Sequence, residues 1–123
     1  MENVSYFVHG TTVVINMILQ RKGAITALLT TKGFRDVLEI QRGNRPDVYD
    51  YSYRKPKPLV PRHLRFEVTE RIDARGKVLQ ELNHNDIVNA VNSCKNHSVR
   101  SIAVCLINSY VDALHELKCK DII

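Results

Sequence analysis

Residues 5–30, SYFVHGTTVVINMILQRKGAITALLT, decide the fold class of this chain. Ser5–His9 is β-rich and continuous enough for a buried strand. Gly10, Thr11 and Thr12 then turn the chain, and either threonine can cap a helix running from about Val13 to Lys22. Arg21 and Lys22 in its last turn and Gly23 just past it are the expected stop signals. Cations offset the unpaired helix carbonyls, and glycine tolerates the left-handed exit. Ala24–Thr30 (AITALLT) reads as a second buried strand. Two strands joined by a helical crossover of this length predict a parallel βαβ unit, right-handed in almost every known case.

Outward from this unit, Thr31-Lys32-Gly33 forms a turn and a short helix is expected near Phe34–Gln41. Residues 43–63, GNRPDVYDYSYRKPKPLVPRH, hold all four prolines and three of the five tyrosines. Pro56, Pro58 and Pro61 fix φ and remove donors, which predicts an extended path over the surface. Regular patterning returns at Arg65–Asp73 (RFEVTERID), an edge-type strand with Phe66, Val68 and Ile72 roughly on one face. Ala74–Lys77 turns the chain into a short strand over Val78–Leu82. Asn83 can cap a helix on which Ile87, Val88, Ala90, Val91 and Cys94 form one apolar stripe. Ser101–Ile107 (SIAVCLI) is a third apolar strand, and a last helix is expected over Asp112–Cys119. The fold class is α/β: a mostly parallel sheet of βαβ units with an inserted β-hairpin.

No apolar run approaches the roughly 18 residues that a membrane span requires, and residues 13–19 lack the basic leader and cleavage site of a signal peptide. The chain is therefore expected in the cytoplasm, with Cys94, Cys105 and Cys119 as reduced thiols. Cys94 and Cys105 fall on core faces and read as small buried hydrophobes. The five histidines show no HxxxH or HExxH spacing, so no metal site is indicated. The five glycines are too scattered for a GxGxxG or Walker loop.

The net charge of +5 sits in residues 42–65, where seven cations (Arg42, Arg45, Arg54, Lys55, Lys57, Arg62, Arg65) face Asp47 and Asp50. Cations track phosphates and aromatics stack on bases, so this loop admits a binding module for anionic partners such as nucleic acid. The charges lie along a proline-rich path and match no known nucleic-acid motif, so a solvated loop is the stronger reading.

Two junctions are site candidates because open α/β sheets bind ligands at the carboxyl ends of their strands. His9-Gly10-Thr11-Thr12 joins a strand to a helix N-terminus, whose amides and threonine hydroxyls suit an anion or a polarised carbonyl. Thr30-Thr31-Lys32-Gly33 occupies the equivalent place after the second strand. On spacing alone, a glycine turn with a threonine cap explains each junction better. Asn16, four residues beyond Thr12, either faces solvent or turns toward the same crevice. His115-Glu116 is a weak acid/base candidate, because adjacent helical residues point apart.

The run VHGTTVVINMILQRKGAITALLTTKGFRDVLEIQRGNRPDVYD resembles the N-terminal region of the hydantoinase A / 5-oxoprolinase / acetone carboxylase family. The shared pattern is HGTT, an asparagine four residues on, RKGA, TTxGFRD, EI and RxNRPD, and it continues through PLVPRHLRFEVTERIDARGKVL to VCLINSYVDALHE. The resemblance implies a partial actin-like ATPase-type, ribonuclease H-like domain over residues 1–123. It also implies an ATP-dependent enzyme that activates a cyclic amide or a ketone carbonyl by phosphoryl transfer, then hydrolyses the amide or carboxylates the ketone. By the same resemblance His9, Thr11, Thr12 and Asn16 line the active-site side, and Arg35, Asp36, Arg42 and Arg45 are structural or border the cleft. ATP and a divalent metal ion belong to the complete enzyme, and neither is expected to bind this chain alone.

The family's glycine-rich D-x-G-G-T hairpin and later nucleotide-binding lobe have no counterpart in these residues, and Asp112-Ala113 stand where the pattern has Asn-Pro. The expectation is a fragment, split subunit or decayed gene product, inactive alone, whose partner is a complementing chain of the same enzyme.

Overall fold

The computed structural model describes residues 10–40, 42 and 46–123. The strand expected over Ser5–His9 lies outside the described residues. Along the chain run helix α1 (Val13–Gln20), strand β1 (Thr26–Thr31), helix α2 (Val37–Ile40), strands β2 (Arg65–Val68), β3 (Arg71–Ile72) and β4 (Val78–Gln80), helix α3 (His84–Asn96), strand β5 (Ser101–Cys105) and helix α4 (Leu114–Ile122). A 3-10 turn at Arg62–Leu64 leads into β2.

The central sheet has the order β2-β1-β5 and both pairings are parallel. Leu28 lies opposite Arg65 on one side and Ala103 on the other, so these three, and the residues two positions on from each, share a face. On one face Leu29 and Val68 pack with Ile87 and Ala90 of α3, Cys119 of α4 and Leu106. Full burial of an aliphatic side chain such as Leu29 contributes about 1.5–3 kcal/mol. The other face carries Leu28, Thr30 and Arg65, covered by α2 and the stretch around Val60, while Ala103 and Cys105 of β5 stand exposed. The α/β class with a mainly parallel sheet and a separate antiparallel β3–β4 hairpin is as the sequence predicts.

Several boundaries differ, each for a local reason. The single strand expected over Arg65–Asp73 breaks at Thr69-Glu70. There the Thr69 amide donates to Asp86 Oδ2 at 2.9 Å, its carbonyl accepts from the Asn83 amide, and Glu70 turns inward. Helix α1 ends at Gln20, because Arg21 itself takes the left-handed exit (φ 53°) expected of Gly23. Strand β5 stops at Cys105, as the next two amides bond to Glu116 Oε1 (2.9 Å) and Thr31 Oγ1 (3.0 Å). Cys105 is exposed, contrary to its expected burial, because its parity directs it to the open face. Helix α4 starts at Leu114, whose amide Asp112 caps at 2.8 Å.

Other expectations hold closely. Asn83 Oδ1 accepts from the amides of Asn85 (2.9 Å) and Asp86 (3.3 Å) and caps α3. Ile87, Ala90 and Cys94 are buried on the expected stripe, while Val88 at its margin is exposed. In the hairpin turn, Asp73 Oδ1 accepts from the Arg75 and Lys77 amides, and Gly76 (φ 84°) supplies the left-handed position.

Candidate functional site

The carboxyl ends of β1, β2 and β5 meet in a buried polar network that no single sequence motif announces. Thr31, the last residue of β1, donates its hydroxyl to Glu70 Oε1 and accepts from the Ile107 amide at 3.0 Å. Glu70 Oε2 lies 2.7 Å from His115 Nδ1, in the first turn of α4. Thr31, Glu70 and His115 are all nearly inaccessible to water. A carboxylate on Nδ1 fixes that nitrogen as the protonated one and leaves Nε2 as the free end of the imidazole. Among the described residues Nε2 has no hydrogen-bond partner, and Glu81 Oε2 is 3.9 Å away, itself 3.6 Å from Lys118 Nζ.

Around this pair the other strand-end groups are also committed. Glu116 accepts from the Leu106 amide, Asn108 Nδ2 donates to the Ile72 carbonyl at 2.8 Å, and Glu67 Oε1 accepts from the Gly33 amide at 2.7 Å. The Lys32 amide bonds to the Val68 carbonyl at 2.9 Å. The Thr69 amide holds the Asp86 carboxyl below the usual aspartate range. Burial, aided by the Glu70 and Glu116 carboxylates, pushes the neighbouring Cys119 thiol up to about 11. Both residues of the His115-Glu116 pair are used, but on different partners, as their adjacency on a helix requires.

A phosphate needs free amides, and the amides of Lys32, Gly33, Leu106 and Ile107 are all spent on protein acceptors. Thus the ends of β1 and β5 do not fit a nucleotide's phosphates. Among the described residues no three His, Cys, Asp or Glu side chains converge as metal ligands.

The first junction is a separate cluster. His9 lies outside the described residues. Thr11, Thr12 and Asn16 are exposed and close together. Thr11 Oγ1 accepts from the Val13 amide at 3.4 Å, and Asn16 Nδ2 reaches Thr12 Oγ1 at 3.4 Å. Thr12 holds the N-cap position without bonding a helix amide through its side chain, and of the two expected candidates it is Thr11 that accepts from a helix amide, at long range. Among the described residues no hydrogen bond joins this cluster to the Glu70–His115 pair.

Asp36 takes both Arg62 Nε (2.8 Å) and Arg62 Nη2 (3.0 Å), and this bidentate guanidinium holds its carboxyl below the usual range. Arg65, wholly buried, donates to the Val60 carbonyl at 2.9 Å and to Glu39 Oε2 at 2.7 Å. Lys55 Nζ reaches the Ile40 carbonyl at 2.6 Å. Three cations of the basic segment are therefore internal fasteners tying the proline-rich stretch to α2. Arg35 adds a favourable charge beside Asp36, Arg42 is exposed, and Arg45 lies outside the described residues.

This geometry can be set beside known proteins. All of residues 1–123 match the family model for the hydantoinase/oxoprolinase N-terminal region. The chain belongs to the hydantoinase/oxoprolinase family. An uncharacterised protein of Methanocaldococcus jannaschii is 38% identical over 99% of this chain and 18% of its own length. The acetophenone carboxylase gamma subunit of Aromatoleum aromaticum is 35% identical over 94% of this chain and 17% of its own. Caprolactamase subunit alpha of Pseudomonas jessenii is 33% identical over 89% of this chain and 16% of its own. The crystal structure of that ATP-dependent caprolactamase superposes with a TM-score of 0.80 over 89% of this chain and 16% of the other. The chain thus spans 16–18% of the length of these relatives. No described helix is long and apolar enough to cross a membrane.

Proposed function

We propose that this chain provides the N-terminal region of an ATP-dependent enzyme of the hydantoinase/5-oxoprolinase type, acting on a cyclic amide or carboxylating a ketone, and that it works only with complementing polypeptide of the same enzyme. The observation that carries this reading is the whole-length family match to proteins in which the same fold is a sixth or so of the chain. ATP and a divalent ion are assigned to the complementing part, because the strand-end amides here are already occupied. In this reading Thr11, Thr12 and Asn16, grouped at the start of α1, face the substrate side together with His9, and their polar groups can hold a polarised carbonyl. The Glu70–His115–Thr31 network is assigned a supporting part: it holds the loops at the ends of β1, β2 and β5 in one arrangement.

The alternative of a module for anionic partners at residues 42–65 draws less support, since Lys55, Arg62 and Arg65 are taken up internally. The deciding experiment is complementation. Caprolactamase lacking the matched region of subunit alpha is assayed for ATP-dependent lactam hydrolysis with and without this chain. Restored turnover supports the reading. Micromolar nucleic-acid binding by the chain, with a steep salt slope, supports the alternative.

A further inference from the structure

We infer that α1 and the open face of β5 are the surface on which the remaining polypeptide of the family enzyme docks; this rests on the reading of the chain as one part of such an enzyme. Helix α1, VVINMILQ, has no charged residue and no buried one. Val13, Val14, Ile15, Met17, Ile18 and Leu19 are all exposed, Leu19 to 75%. Six of its eight residues are aliphatic or methionine, and a helix so largely apolar belongs to an interior. At eight residues it is far below the roughly 20 needed to cross a bilayer.

Two further observations extend the patch. Between α1 and the sheet lies an open groove of about 550 Å³, lined by Met17, Ile18, Ile25, Leu59 and Ala103 among others. Ala103 and Cys105 of β5 are exposed on the same sheet face, whereas a parallel strand is normally covered on both. Helices α3 and α4 pack on the opposite face.

Helix, groove and strand face together form one apolar surface left uncovered among the described residues. The occupant inferred is the polypeptide that accompanies this fold elsewhere: the matched region is 16% of the caprolactamase chain, so most of that polypeptide lies outside it. The occupant's contact segment is aliphatic and nearly uncharged. Among the described residues the patch offers no acid, and the guanidinium of Arg21 at its rim is bonded to the Lys57 carbonyl at 2.7 Å.

The test mixes the purified chain with P. jessenii caprolactamase subunit alpha lacking its matched region and measures association by calorimetry and amide exchange. Expected are binding that changes little between about 50 and 500 mM salt and new protection of the α1 amides. Ile15→Asp and Leu19→Asp should each weaken binding by roughly tenfold or more, since each buries an unpaired charge. Neither should move the melting temperature of the chain alone, because neither side chain is buried there. Lys95→Glu, on the exposed side of α3, should bind as the parent does. Association and restored turnover that survive both α1 substitutions would overturn the surface assignment and leave the functional reading intact. Absence of both association and turnover would overturn the two together. Self-association or binding to anionic vesicles that the α1 substitutions abolish would assign the patch to a second copy or to a membrane, and also overturn the inference.

Discussion

His115 Nδ1 lies 2.7 Å from Glu70 Oε2 across 45 residues of chain, and the two side chains are almost wholly buried. With Thr31 on the other carboxylate oxygen, the pair ties β1, the break between β2 and β3, and α4 into one unit. Glu70→Ala leaves the Thr31 hydroxyl and His115 Nδ1 buried without their acceptor. It should cost about 3 kcal/mol in urea denaturation. Glu70→Gln, which keeps one acceptor and the shape, should cost clearly less. A loss below about 1 kcal/mol for the alanine variant would show that the network does not hold the strand ends.

Cysteine chemistry separates the two sheet faces. Cys105 is exposed on the open face, Cys94 is buried on the inner side of α3 with its thiol pushed up by burial, and Cys119 is pushed up to about 11. The thiolate is the reacting species. Iodoacetamide at about pH 8 should therefore label Cys105 first, with Cys94 and Cys119 modified only on unfolding; mass spectrometry after a short pulse reads this directly. Equal labelling of all three in the native chain would contradict the assignment of faces.

Asp86 links acid stability to one bond. Its carboxyl is held low chiefly by the Thr69 amide, so the ionised form stabilises the fold above the ordinary aspartate value of about 3.9. That contribution is lost as pH falls through the lower folded value. Asp86→Asn should be less stable than the parent near neutral pH, by about 1.5 kcal/mol. The gap in urea midpoints should narrow steadily toward about pH 3. A gap independent of pH would mean that the carboxylate's charge plays no part.

Much of the architecture was legible in the sequence because its signals are local. The Asn83 cap, the Ile87–Cys94 stripe, the Asp73–Gly76 turn and the apolar runs of β1 and β5 each declare themselves within a few residues. The Glu70–His115 pair was not legible, since no spacing rule joins residues 45 apart. The only signals were a glutamate interrupting an otherwise plausible strand and a histidine on a helix that packs its neighbour Cys119. The burial expected of Cys105 fails because an apolar strand does not say which of its faces is covered. Of the site residues, Thr11, Thr12 and Asn16 do cluster, but their grouping follows from adjacency on one helical turn.

Within the basic segment, charge alone does not predict importance. Arg65→Ala removes a buried guanidinium bonded to Val60 and Glu39 and should cost about 3 kcal/mol. Arg65→Lys should recover only part, because an ammonium cannot span both acceptors. Neutralising Arg54 and Lys57, both exposed, should shift stability by less than about 1 kcal/mol. Comparable thermal shifts for the two changes would refute the fastener role.

The central claim is that this chain is one working part of an ATP-dependent family enzyme, and coupled turnover tests it most directly. Lactam hydrolysis and ADP release are followed together for the chain alone, for caprolactamase lacking the matched region of subunit alpha, and for the mixture. Background rates are expected for each part alone and ATP-dependent hydrolysis in the mixture. Turnover by the isolated chain that ATP removal abolishes, or a mixture no more active than its parts, would contradict it.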